Sequence, residues 1–166
     1  MAKLYNPNHV ANAFLVAAKK DGINDVDPLK IQKLVYYLNG YNLAINDAPL
    51  IGEKFETWPY GPVLSSLYHQ FKDNKNKKIT SYAVDVTAEG QKAFVPLDSD
   101  SAFHELFTSV WNKYKSVSGL KLSALTHATG SPWSKALDRG DDYLDDNEIK
   151  KYFISILENN IDNGGR

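Results

Sequence analysis

The segment from Leu29 to Ile45, LKIQKLVYYLNGYNLAI, sets the terms on which the rest of the chain can fold. Asp27-Pro28 just before it has the form of a helix N-cap followed by a first-turn proline, whose fixed φ and missing N–H suit that place. At helical spacing the apolar side chains fall on two arcs: Leu29, Tyr36 and Leu43 on one, Leu34, Leu38, Tyr41 and Ile45 on the other. Gln32, Asn39, Asn42 and Asn46 keep a narrow polar stripe. A helix that is apolar on two sides is normally sandwiched between other elements, so this one is expected at the centre of the fold.

Working outward, helical spacing dominates. Asn6-Pro7 repeats the cap-and-proline signal, Val10, Phe14 and Ala17 share one face, and Gly22 can end that helix. Residues 101 to 115 carry Phe103, Leu106, Phe107, Val110, Trp111 and Tyr114 on one broad stripe. Short helices are expected over Leu120 to Ala128 and, after Ser131-Pro132, over Trp133 to Leu137. A last helix carries Ile149, Tyr152, Phe153, Ile156 and Leu157, with Asp145 and Glu148 at capping-box spacing before it. Between the first two helices and the later ones the period changes. Ile51, Phe55 and Thr57 suggest extended structure, Gly61-Pro62 is expected to open a helix with Leu64, Leu67, Tyr68 and Phe71 on its face, and Lys72 to Lys78 reads as a polar loop. Ile79 to Val86 alternates as a strand that would pair with the earlier one, while Thr87 to Pro96 has no assignable pattern. The expected architecture is mainly α. It is a compact single-domain helical bundle over residues 1–158 around a central buried helix, with a small two- or three-stranded β element and a flexible tail over 159–166.

Composition narrows the function. The 166 residues suit one domain, and 43% hydrophobic with 23% charged residues lies in the globular range. A formal charge of −1 lacks the basic excess of a protein that grips phosphates, so nucleic acid is not expected as a partner. No cysteine is present, which removes disulfides, thiol nucleophiles and iron–sulfur clusters. No apolar stretch is long enough for a bilayer and the start lacks a signal-peptide core, so a cytoplasmic domain is expected. Four histidines, His9, His69, His104 and His127, fit no metal-ligand spacing; no metal or cofactor is expected. His127, among small and turn-forming residues, suits a structural or binding role better than catalysis, because no orienting partner stands at predictable spacing. The acidic run Asp138, Asp141, Asp142, Asp145, Asp146 and Glu148 suits a solvated connection with a capping aspartate. Its functional version is a negative patch for a basic partner. Trp58-Pro59-Tyr60-Gly61-Pro62-Val63 holds two large aromatics on a stiff turn, and a core plug and a preorganised interface anchor both remain open.

Three segments in this order resemble the Panacea, or SocA-type, antitoxin domain. They are Lys30-Ile31-Gln32-Lys33-Leu34-Val35-Tyr36-Tyr37-Leu38, Trp58 to Val63, and Leu122-Ser123-Ala124-Leu125-Thr126-His127 followed by Pro132-Trp133. The likeness covers about residues 7 to 155. Between His127 and Pro132 this chain has Ala128-Thr129-Gly130-Ser131, where relatives commonly include an acidic residue. The resemblance implies a non-enzymatic antitoxin, in bacteria or phage, that neutralises a cognate protein toxin encoded nearby by direct binding. It also implies two other readings: a proteolytic adaptor that works with a host protease, or an accessory protein of phages and mobile elements. A small hydrolase or transferase using His127 with Ser123 is the rival of another class. Tyr37, Trp58, Tyr60, His127 and Trp133 are the expected partner-binding residues. Gln32, Lys33, Leu34, Tyr36, Gly61, Pro62, Val63, Leu122, Ser123, Thr126 and Pro132 are expected to build the motifs.

Overall fold

Asp27 accepts a hydrogen bond from the Lys30 backbone N–H at 2.8 Å, and the central helix α2 runs from the proline that follows it, over Pro28–Asn46. In the computed structural model, which describes residues 3–86, 92–93 and 101–162, every residue of α2 from Lys30 to Leu43 is buried. Six further α-helices appear among the described residues: α1 (Pro7–Asp21), α3 (Ser65–Phe71), α4 (Ser101–Tyr114), α5 (Gly119–Thr126), α6 (Pro132–Arg139) and α7 (Asp146–Asp162). All but α6 lie directly against α2, while α6 leans on α5 and α7. Two short antiparallel ribbons complete the architecture, β1 (Glu56–Trp58) with β2 (Gly61–Val63), and β3 (Asp85–Val86) with β4 (Lys92–Ala93). The fold is mainly α with a minor β element.

Both arcs of α2 meet Phe153 of α7, through Tyr36 on the first and Tyr41 on the second. On the side of α4 and α7, Tyr37 stacks on Tyr114 at 4.5 Å, and Phe153 meets Tyr36, Tyr37 and Tyr41 edge-on at 5.7, 5.6 and 4.9 Å. The Phe153 ring occupies the very space that a Cβ on Gly40 would take, so α2 and α7 cross where the helix has no side chain. Ile45, expected on the second arc, is exposed because α2 emerges from the core in its last turn.

The polar stripe is the first departure, for Gln32, Asn39 and Asn42 too lie inside, and only Asn46 at its end is exposed. Asn39 Oδ1 accepts from the backbone N–H groups of Leu50 (2.9 Å) and Ile51 (3.2 Å), and Asn42 Nδ2 donates to Ala48 O (2.7 Å). Gln32 takes both backbone groups of Leu64, donating to its O at 3.0 Å and accepting from its N–H at 2.9 Å. Each amide supplies a buried loop with the hydrogen bonds that a neighbouring strand would otherwise give.

The same chemistry overturns two expectations about the β element. Gly61-Pro62 does not start a helix. The Gln32 bonds hold Leu64 extended, so Gly61 to Val63 pair with β1 and the helix begins at Ser65. Nor does Ile79 to Val86 pair with the earlier extended segment. Ile79 N–H bonds Val26 O at 2.9 Å, and the buried Asn12 amide takes both groups of Ala83 at 2.7 and 2.9 Å, so α1 and the α1–α2 loop serve as its partner. Only Asp85–Val86 pair, and with β4. The expected polar loop contains a single 3₁₀ turn at Lys72–Asn74. At the C-terminal end α7 continues through the boundary expected at 158, to Asp162; residues 163–166, like most of the unassigned stretch 87–96, lie outside the described residues.

Candidate functional site

The three motif segments come together on one side of α2. Pro59 and Tyr60 form the tip between β1 and β2, with Trp58 opposite Gly61. Gly61 has a φ of +107°, and a Cβ added there would lie 2.5 Å from Thr126 Oγ1 and 3.0 Å from Lys33 Cε, so the chain can turn only where this residue is glycine. Beneath it the third segment is shaped by its own caps. Ser118 caps α5, whose end at Thr126 leaves His127 outside the helix. Ser131 then caps α6 through Ser134 N–H, with Pro132 in its first turn. Ser131 Oγ also donates to Thr126 O at 2.8 Å, which ties the two helices together.

Side chains from α2, α5 and α6 then take the hairpin carbonyls in turn. Trp133 Nε1 donates to Trp58 O at 2.7 Å, His127 Nε2 faces Pro59 O at 2.8 Å, Ser123 Oγ donates to Tyr60 O at 2.6 Å and Lys33 Nζ donates to Pro62 O at 3.0 Å. Gln32 holds Leu64 O beyond them. The His127 ring lies across Trp133, with centroids 4.0 Å apart, and its Nδ1 faces Ser123 O at 2.5 Å. Four hairpin carbonyls and that of Leu64 just beyond are thus met by five side chains, each from a motif residue. The clamp holds a rigid, outward-pointing tip.

This geometry sorts the expected residues. Tyr37 is core, stacked on Tyr114, and Trp133 is buried with its indole N–H engaged. Trp58 is half-buried with Tyr68 against its ring at 4.8 Å, and His127 is half-buried beneath the tip. Tyr60 stands out, with two-thirds of its surface (67%) exposed. Leu34, Tyr36, Val63 and Leu122 fill the core behind the clamp, while Gln32, Lys33, Gly61, Pro62, Ser123, Thr126 and Pro132 build it. The hydrolase reading needs a contact between the Ser123 hydroxyl and the His127 ring. The hydroxyl is turned to Tyr60 O instead, and both ring nitrogens face backbone carbonyls.

Lys30 and Lys33, placed in the first motif segment by the sequence, are both fully buried, which the sequence reading did not foresee. Lys30 reaches Asp25 and Lys115 O, each at 2.7 Å. Lys33 has Pro62 O as its hydrogen-bond acceptor, and removal from water lowers its pKa from 10.5 to about 7. Burial likewise raises the phenols of Tyr36, Tyr37 and Tyr114. A lysine inside an otherwise apolar helical run is the one sequence signal that pointed here. Among the described residues no three His, Asp or Glu side chains gather where they could hold a metal ion, and no helix is long and apolar enough to cross a membrane.

A family model described as "Antitoxin SocA-like, Panacea domain" matches residues 31–134, a span that takes in all three segments of the clamp. The chain belongs to this family. Antitoxin SocA of Caulobacter vibrioides (strain NA1000 / CB15N) is similar to it, 33% identical over 126 residues, which is 75% of this chain and 66% of that relative. The chain therefore spans a little under two-thirds of the curated relative it matches. No solved structure matches the chain. Within the Panacea domain, the clamp explains why the three segments go together: each supplies part of one hydrogen-bonded unit around Gly61.

Proposed function

We propose that this chain is an antitoxin that silences a partner toxin in the cytoplasm by binding it as a folded protein, with no covalent step. Its membership of the SocA-like Panacea family, through a match that encloses the whole clamp, carries the reading. The clamp supports it physically. An aromatic carried on a fixed backbone at a tip forms contacts at reduced entropic cost, and the Tyr60 backbone is so fixed, through its carbonyl, while its side chain is exposed. Trp58 and His127 sit beside the contact, and Trp133 acts from the core by holding Trp58 O, while Tyr37 packs on Tyr114. A near-neutral chain with locally separated charges suits a protein partner better than a nucleic acid. Occlusion of a toxin needs an interface of roughly 1,200–2,000 Å² in total, a size within reach of a domain like this.

Co-expression with the protein encoded by the adjacent gene tests the reading. Growth should be restored and the two chains should purify together in fixed proportion. A neighbouring product that arrests growth, stays fully active beside this chain and fails to purify with it would overturn the proposal.

A further inference from the structure

Strand pairing extends the hairpin by one more segment. Thr57 N–H bonds Asp142 O at 2.8 Å, Leu144 N–H bonds Phe55 O at 2.9 Å, and Tyr143 lies opposite Glu56. Residues 142–144, β1 and β2 therefore form a three-segment antiparallel surface. Side chains alternate between its faces, so Phe55 and Leu144 point into the core while Tyr143, Glu56 and Trp58 share the outer face. Tyr68 of α3 joins that face through its contact with Trp58. Tyr60 stands at its end, in the turn between β1 and β2. Tyr143 is about half exposed, at 53%, and Tyr68 and Tyr60 are exposed at 42% and 67%.

The charge around this face is not that of the molecule. The whole chain carries −1, yet the stretch from Asp138 to Glu148 has six carboxylates against Arg139 alone, a balance of −5. Arg139 is already taken, at 2.8 Å from Asp141 and 2.6 Å from Glu148. Asp138, Asp142 and Asp145 are exposed and have no ion-pair partner among the described residues, and Lys150, which follows in α7, is paired with Asp47 at 2.6 Å. Exposed aromatic faces beside unpaired carboxylates form the complement of arginine and lysine: the rings receive the cation and the acids supply the opposite potential.

We propose that this outer face, Trp58, Tyr68 and Tyr143 with Tyr60 at its end, is where the chain receives a cationic protein surface, the acidic stretch 138–148 steering it into place. The inference rests on the antitoxin reading and names the chemistry of the toxin surface it requires.

Titration against the adjacent gene's product, at two salt concentrations, tests it. Tyr143→Ala and Tyr60→Ala should each weaken binding by about 30-fold or more, as truncated hot spots do. Asp138→Lys with Asp142→Lys should slow association and flatten its salt dependence, because rim charges act on encounter. These side chains are exposed, and circular dichroism should show the variants folded. Leu125→Ala, on the face of α5 turned away from the hairpin, should bind as the unaltered chain does. If the unaltered chain binds and protects, but the face variants match it, this face assignment is wrong and the antitoxin reading survives. If the unaltered chain neither binds nor protects, both fall. A homodimer in sedimentation that Tyr143→Ala dissolves would also overturn the assignment, since the face would then belong to a second copy.

Discussion

At the scale of single residues, Lys33 is the group whose chemistry is most constrained. Its ammonium form is disfavoured in the folded chain because burial removes water and provides one carbonyl in return. The unfolded chain binds a proton below 10.5, the folded chain below about 7. The cost of burial is present in full below the lower value and is relieved as pH rises between the two. Stability should therefore increase across that window. From one shifted group the expected gain is about 2 kcal/mol between about pH 7 and about pH 9. Denaturant unfolding of the unaltered chain should show it, and Lys33→Met should lose most of the slope. A slope equal in both chains would mean that Lys33 is not the source. Above about pH 10 the sign reverses, because the buried phenols of Tyr36, Tyr37 and Tyr114 hold their protons longer folded than unfolded.

Between elements, the crossing of α2 and α7 is the tightest point, since the Phe153 ring fills the place of a side chain at Gly40. Helix propensity alone would make Gly40→Ala favourable by up to about 1 kcal/mol. The contact decides otherwise: an added methyl has to displace a ring packed among three tyrosines, and overpacking of this kind costs about 1–3 kcal/mol. Gly40→Ala should lower stability in thermal unfolding. Phe153→Leu should recover part of that loss in the double variant, although it destabilises on its own. Additive losses would show that the two positions do not meet. This scale also explains what could be read in advance. Asn6-Pro7, Asp27-Pro28 and Ser131-Pro132 start helices because capping is settled within four residues. Gly61-Pro62 carries a similar local signal and forms a strand, because Gln32, distant in the chain, holds Leu64 extended. Ile79 to Val86 fails as a paired strand for a like reason, through Asn12. The clamp was legible as three motifs but not as one object, for nothing in a sequence states which carbonyl a side chain will reach.

For the whole molecule the question is whether the clamp and the aromatic core unfold as one unit. The helix α2 passes through both: Gln32 and Lys33 hold the hairpin, and Tyr37 and Tyr41 pack on α4 and α7 about one to two and a half turns later. A single rigid helix cannot lose order at one end while keeping its buried lysine, amides and tyrosines satisfied at the other, so unfolding should be cooperative. The tryptophans make this measurable. Trp111 reports on the α1–α4 contact, where its N–H holds Asp21 at 2.7 Å and its ring lies 6.1 Å from Phe14. Trp58 and Trp133 report on the clamp. A chain with Trp58→Phe and Trp133→Phe leaves only the first signal, and Trp111→Phe leaves only the second. Each variant will be less stable than the parent, Trp133→Phe by about 1 kcal/mol or more for the bond lost to Trp58 O. Within each variant, however, fluorescence and far-ultraviolet circular dichroism should share one midpoint in denaturant. A clamp signal that disappears at lower denaturant than the helical signal would divide the molecule in two, and would make the hairpin a separately folding part of it.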